Sequence, residues 1–362
     1  MIKYLGSKRV LIPYINACVS SLPNVQSVAD LFSGTARVGH ALKREGYVVY
    51  SNDLNKYAYA LAQCYVQADA SDWQDEVIKL IQYLNALPGK PGYITENYCV
   101  NSRFFQPHNG QRIDAIRDEI ERLGLDPLLK AICLTSLMEA ADRVDSTTGV
   151  QMAYLKSWAA RSFNHLELRV PSLTDRGDNQ PSVAYNGDAL DVVSRLDADC
   201  VYLDPPYNQH SYLGNYHIWE TLVEWDQPSL YGVAMKRVDC RERKSVFNSK
   251  RLAQQAFQDL VSEIRSPNIV ISFNNEGYID RTSMEAMLSA KGHVLVVEVP
   301  YKRYVGAQIG IYNPSGHLVG EVSHLKNVEY LYVVSQQEIG IDAIRDSMNG
   351  SANQLNLLDL AA

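Results

Sequence analysis

A chain of 362 residues with 46% apolar and 21% charged side chains is long enough for a large core and one or two domains, and its composition is globular rather than disordered. No run approaches the apolar length of a membrane span, and Met1-Ile2-Lys3-Tyr4-Leu5-Gly6 lacks a signal-peptide core, so a cytoplasmic protein is expected. A net charge of −7 does not advertise a polyanion partner, and six scattered cysteines (Cys18, Cys64, Cys99, Cys133, Cys200, Cys240) without a Cys-x-x-Cys pair argue against a zinc site and for buried, reduced thiols.

Residues 3–9 form a short basic opening with Gly6 and Ser7 as a turn. The periodicity then predicts a helix over Leu11–Leu22, with Pro13 in its first turn. Ser27–Phe32 reads as a buried strand running into Ser33-Gly34-Thr35-Ala36-Arg37-Val38-Gly39 and a helix to Arg44. Tyr47–Ser51 is a second strand ending at Asn52-Asp53, followed by a helix over Lys56–Gln67. Strand, glycine turn, helix, strand and acid make a nucleotide-binding half-unit. Gly34 lets backbone approach a ligand, and an acid about 20 residues on suits ribose hydroxyls, the role given to Asp53. With Gly-x-Ala in place of Gly-x-Gly-x-x-Gly, a dinucleotide oxidoreductase is disfavoured. Asp30 stands before the turn, either to meet a cationic amino group or as a solvated or capping acid.

Residues 71–180 have a different texture. Helices are expected over Trp73–Leu87, Arg112–Leu123, Pro127–Val144 and Gln151–Arg161, and Pro88–Gly110 reads as loop. So many helical residues between two strands of one sheet predict an inserted subdomain. Its polar loop Asp145-Ser146-Thr147-Thr148-Gly149 is either a recognition element or an ordinary connection.

The sheet resumes with Ser182–Asn186, ending at Gly187-Asp188, and with Cys200–Leu203, ending at Asp204-Pro205-Pro206-Tyr207. Proline cannot donate to a ladder, so the strand stops there. Strand carboxyl ends are where open α/β sheets place ligands, and the tetrad offers a carboxylate, carbonyls and a flat ring. A helix over Tyr216–Trp225, a helix over Leu252–Arg265, a strand over Asn268–Phe273, a helix over Arg281–Ala290 and strands over His293–Val299 and Val328–Ser335 follow; the tail after Gln336 is weakly patterned. Alternation of this kind gives an α/β fold with a mainly parallel sheet covered on both faces. Asp53, Asp188 and Asp204 then share one sheet edge; each alone would read as a helix cap, and together they read as a cleft.

Lys3-Tyr4-Leu5-Gly6-Ser7-Lys8, Asp30-Leu31-Phe32-Ser33-Gly34 and Asp204-Pro205-Pro206-Tyr207 resemble motifs X, I and IV of the Dam-type (group alpha) adenine-N6 DNA methyltransferases, in that group's order over roughly residues 1–335. Ala36 departs from the family, which often has glycine there. The resemblance implies a Rossmann-like catalytic domain (1–70 and 181–335), a helical target-recognition insert (71–180) and a tail (336–362). It implies S-adenosyl-L-methionine as methyl donor, with Tyr4, Lys8, Asp30, Phe32, Gly34, Asp53, Asp188 and Asp204 at its site and no metal. It implies double-stranded DNA as partner, either alone or with a companion restriction endonuclease in a restriction–modification pair, and a monomer or weak dimer.

The chemistry fits the tetrad. An exocyclic amine conjugated with its ring is a poor nucleophile; Asp204 and the Pro205 carbonyl can accept its two protons and orient its lone pair. Tyr207 offers a stacking face for a flipped base, with Pro206 shaping the turn. Arg143, Lys156, Arg161, Tyr301-Lys302-Arg303-Tyr304 and the basic stretch 236–251 (Lys236, Arg237, Arg241, Arg243, Lys244, Lys250, Arg251) are candidates for DNA, against the alternative of a solvated face. Cytosine-N4 methylation, an RNA or protein-amide substrate, and an inactive DNA-binding specificity partner are the competing readings.

Overall fold

The computed structural model describes residues 1–302, 311–312, 318–320 and 326–347. Arg303 and Tyr304, and the tail beyond residue 347, lie outside the described residues. The chain divides into two compact units, one of Met1–Ile12, Gln26–Ala198 and His210–Ser245, the other of Pro13–Val25, Asp199–Gln209 and Val246 onward.

In chain order the predicted half-unit appears as α1 (Ile12–Ser20), β1 (Ser27–Asp30), α2 (Arg37–Arg44), β2 (Val48–Asp53) and α3 (Lys56–Ala62). The last turn of the expected Lys56–Gln67 helix widens to a π-turn over Gln63–Gln67. The helical segment follows as α4 (Ala70–Ala86), α5 (Tyr93–Thr95), α6 (Pro107–Arg122) and α7 (Pro127–Arg143). Local signals explain α7 well: Asp126 accepts from Leu128 N at 2.8 Å, and Pro127 occupies the first position, where no amide is needed. Then come β3 (Val183–Asn186), α8 (Ala189–Val192), β4 (Cys200–Leu203), α9 (Tyr212–Asn215), α10 (His217–Glu224) and a short hairpin, β5 (Leu230–Tyr231) with β6 (Lys236–Arg237). The chain continues with α11 (Ala253–Glu263), β7 (Asn268–Asn274), α12 (Arg281–Ser289), β8 (His293–Lys302), β9 (Ile311–Tyr312), β10 (Leu318–Gly320) and β11 (Lys326–Ser335).

Two expectations are corrected. Pro88–Gly110 is not plain loop: helical turns span Tyr93–Val100, and α6 already begins at Pro107. Gln151–Arg161 is not a helix; only a 3-10 turn forms at Ala160–Phe163. Tertiary bonds override its helical period. Gln151 N donates to Asn215 O (2.7 Å), Gln151 Oε1 accepts from Ile218 N (2.8 Å), and Leu155 N donates to Ser146 O (2.8 Å). Burial pushes the His217 imidazole down to about 3, so it stays neutral and donates through Nε2 to the Gln151 carbonyl at 3.0 Å.

In the first unit β1 pairs with β2 and β2 with β3, both parallel, with Asp30 opposite Ser51 and Asp53 opposite Asn186. The strand ends of this unit therefore bring Asp30, Asp53 and the residue after Gly187 to one edge. In the second unit β4 and β7 pair in parallel, Leu203 opposite Ile271. β11 runs antiparallel to both β7 and β8. Every residue of β7 is buried, as expected of a strand covered on both faces. No helix of the described residues is long and apolar enough to cross a membrane.

One carboxylate ties the first unit together. Glu220 on α10 is fully buried and accepts from Lys56 N (3.2 Å), from Tyr57 N (3.0 Å) and from Arg243 Nη2 (2.6 Å). It caps α3 from a distance, since the local N-cap Asn55 supplies no side-chain bond. Glu220→Ala leaves two helix amides without their acceptor and takes one of two carboxylate partners from the half-exposed Arg243, which keeps Asp239, and is expected to lower stability by about 1–3 kcal/mol. Lys56→Ala removes only the exposed Lys56–Glu224 pair and is expected to cost under about 1 kcal/mol. Urea unfolding of the two variants measures the difference.

Candidate active site

The glycine turn is built by its own backbone. Ser33 N donates to Asn52 O (2.9 Å) and Ala36 N to Ser33 O (2.7 Å). Gly34 takes φ +52°, which favours glycine, and a Cβ there would stand 3.2 Å from the Tyr4 ring. Ala36 is also left-handed, at φ +57°. Gly34 N donates to Asp53 Oδ2 at 2.9 Å, while Asp53 Oδ1 accepts from Asn55 N (2.9 Å) and Asn55 Nδ2 (3.1 Å). Burial pushes the Asp53 carboxyl up to about 6, against the pull of those three donors. Oδ2 keeps a second acceptor position beyond its bond to Gly34.

Tyr4 lies over this turn. Its hydroxyl shares a 2.9 Å hydrogen bond with Tyr57, and its ring stacks on Tyr216 (centroids 4.5 Å apart) and on Tyr212 (5.2 Å). Sequence reasoning missed Tyr57, Tyr212, Tyr216 and Glu220. Tyr212 and Tyr216 do carry a signal, aromatics four residues apart just after the tetrad, but nothing local says what they stack on. Lys8 is buried in the first 3-10 turn and Asp30 at the end of β1; Phe32 is half-buried. Asp188 caps α8, accepting from Leu190 N at 3.0 Å through one oxygen.

The tetrad lies in the second unit. Leu203 is the last residue of β4 in register with β7, so Asp204 leaves the ladder where the prolines begin. Asp204, Pro206 and Tyr207 are half-exposed and Pro205 is buried. The segment after Pro206 is pinned from β7's side: Tyr278 N donates to Tyr207 O (3.1 Å), and the Tyr207 ring meets Phe273 near-perpendicular at 6.2 Å. Below it, buried Glu329 accepts from Ser272 Oγ (2.6 Å) and Asn274 Nδ2 (3.4 Å), stiffening the end of β7.

Residues 4–274 match the D12 class N6 adenine-specific DNA methyltransferase family. The chain belongs to that family. Among curated relatives, it is 32% identical over 321 residues to modification methylase StsI of Streptococcus sanguinis, covering 83% of this chain and 48% of that protein. It is 30% identical over 326 residues to type II methyltransferase M.FokI of Planomicrobium okeanokoites, covering 83% and 49%. It is 30% identical over 317 residues to type II methyltransferase M.NlaIII of Neisseria lactamica, covering 83% and 92%. The chain thus spans about half the length of the first two and most of the third.

Membership of this methyltransferase family implies an S-adenosyl-L-methionine donor, and the first unit fits one: a side-chain-free backbone at Gly34, a half-buried carboxylate with an open acceptor position at Asp53, and an aromatic wall at Tyr4. The basic candidates fare differently. Arg143 donates to Glu167 O (2.7 Å), and Arg161 is held by Asp145 (2.8 Å) and Thr147 O (2.6 Å). Arg237, 3% exposed, forks onto Asp226 (2.7 and 2.8 Å) and reaches Asp239 (3.1 Å). Arg243 serves Glu220 and Asp239. These four work inside the protein, whereas Lys156, Arg241, Lys244, Lys250 and Arg251 are exposed.

Ala36→Gly should relieve the left-handed strain and raise stability by up to about 1 kcal/mol, the gain reduced by the freer unfolded chain; thermal melting measures it. Asp53, with its carboxyl raised to about 6, is ionised only above that pH. Where Asp53 holds the donor, as proposed below, binding weakens as pH falls through about 6, by up to roughly tenfold per pH unit. Calorimetric titration with S-adenosyl-L-methionine measures this, and Asp53→Asn should flatten the profile.

Proposed function

We propose that this chain methylates adenine N6 at a specific site in double-stranded DNA. The observation that carries the reading is an accessible acid, Asp204, at the carboxyl end of a buried parallel strand, followed at once by two prolines and a half-exposed tyrosine. Family membership supports the base assignment. In this reading Asp204 and the Pro205 carbonyl accept the two N6 protons and turn the lone pair outward. Tyr207 stacks the flipped base, a gain of roughly 1–3 kcal/mol that offsets much of the flipping cost. S-adenosyl-L-methionine, when bound, supplies an electrophilic methyl group. The N6 proton lost on methylation passes to Asp204 and on to water. Asp204 need not be a strong base, because the methylated amine is very acidic.

Tyr4, Lys8, Phe32 and Gly34 line the donor pocket in this scheme, Asp53 takes the ribose hydroxyls, Asp30 faces the donor's amino group, and Asp188 lies beside its adenine. The helical segment 71–180 serves as the target-recognition insert. The relatives' names as modification and type II enzymes favour a partner endonuclease that cuts the same site.

Asp204→Ala should lower methyl transfer on the order of a hundredfold or more while sparing most DNA binding. Long-read modified-base sequencing of DNA from cells making either form measures it. The expected result is N6-methyladenine at one recurrent motif, lost in the variant. Methylcytosine at that motif would overturn the base assignment, and no modified base from folded protein would overturn the enzyme reading.

A further inference from the structure

In a chain of net charge −7, residues 97–113 and 146–166 contain Arg103, Arg112, Lys156 and Arg161 and no acidic side chain. The fold packs these two stretches together. Ser146 N donates to Phe104 O (2.8 Å), Ala159 N to Ser146 Oγ (3.1 Å), and Phe104 meets Tyr154 edge-on at 5.2 Å. Arg112 and Arg161 are occupied inside, on Leu87 O and Asn85 O and on Asp145 and Thr147 O. Arg103 and Lys156 stand at the surface, with the exposed acids Glu96 and Glu167 only at the far ends of the two stretches.

Arg103 is held in an unusual way for a half-exposed arginine. Its guanidinium lies 4.8 Å from the centroid of the half-exposed Trp158 ring, and its Nη1 donates to Lys156 O at 2.7 Å. Ring and anchor together restrain the guanidinium from two sides. They leave Nε and Nη2 as one two-donor edge that no described residue engages. A two-donor edge so restrained matches the O6/N7 acceptor pair of guanine in the major groove. A phosphate contact would need no such restraint, and the neighbouring Lys156 ammonium suits that role as a point charge.

We propose that Arg103 is a specificity-determining residue that reads one guanine of the target duplex, oriented by Trp158 and the Lys156 carbonyl. The inference rests on the reading of the chain as a protein that recognises double-stranded DNA. Its experiment does not depend on methylation.

The full-length protein would be used to select from a randomised duplex library in the presence of S-adenosyl-L-methionine, and the enriched motif compared across variants. The expected result is a wild-type motif with a required guanine that Arg103→Gln alone relaxes, with affinity for the wild-type motif down roughly tenfold to a hundredfold. Arg103→Lys should relax the same position, since a point charge lacks the fork. Trp158→Ala should do so in part, and Trp158→Phe should restore the requirement. Thermal melting and donor binding identify any variant that fails to fold, and Arg103→Lys, the mildest change, then decides. A motif unchanged in all Arg103 variants, a loss uniform over sequences with a shallower salt dependence, or no wild-type motif would each overturn the proposal. Wild-type enrichment of a motif that is never methylated would overturn the catalytic reading and leave this one standing on the Arg103 result.

Discussion

The first unit depends on how a buried charge is satisfied. Glu220 has no access to water, and an ion in that position is tolerable only when its lone pairs are filled. The fold fills them with the first amides of α3 and with Arg243. That solution has a geometric consequence. Residue 56 begins α3 three positions after Asp53, so fixing the helix start fixes the exit of β2 and the direction of Tyr57. Tyr57 then holds Tyr4 by its hydroxyl, and Tyr4 lies against the one turn residue that has no Cβ. The placement of Tyr4 over the glycine turn thus follows from an electrostatic requirement met some distance from it.

The polar loop 145–151 obeys the same logic. Asp145 is buried between Lys3 Nζ (3.0 Å) and Arg161 Nε (2.8 Å), and Lys3 also reaches Asp142 O (2.7 Å). Burial pushes the Asp142 carboxyl up to about 6, with Lys3 pulling it back. Gln151 closes the loop onto α9 and α10 through three bonds. A connected buried network favours one arrangement, because other arrangements strand more polar groups. The amino-terminal segment that carries Tyr4 is thereby locked to the end of α7 and to the helices after the tetrad.

Features governed by neighbours in sequence were legible without a structure. The apolar run from Cys200 to Leu203 ends where the prolines say it must, the strand before Asp53 ends at its acid, and the helix expected from Pro127 starts there. Features governed by distant partners were not. Gln151–Arg161 has helical spacing, yet its amides bond to residues far along the chain, and backbone groups satisfied elsewhere have no need of a helix. Arg237 and Arg243 sit in a run that reads as a DNA patch, because sequence does not reveal that Asp226, Asp239 and Glu220 converge on them. Tyr212 and Tyr216 were visible as aromatics but not as the stack that positions Tyr4.

Those two arginines bear on how an acidic protein can approach a polyanion. A cluster of bases in sequence raises the local potential only if the bases remain uncompensated, and in the 236–251 stretch the carboxylates of Asp226, Asp239 and Glu220 compensate Arg237 and Arg243. In the helical segment two stretches free of acids are folded against each other, and Arg161 there is paired with Asp145 from just outside them. Field strength at a surface is the sum over both signs, and removing negative charge near it counts as much as adding positive.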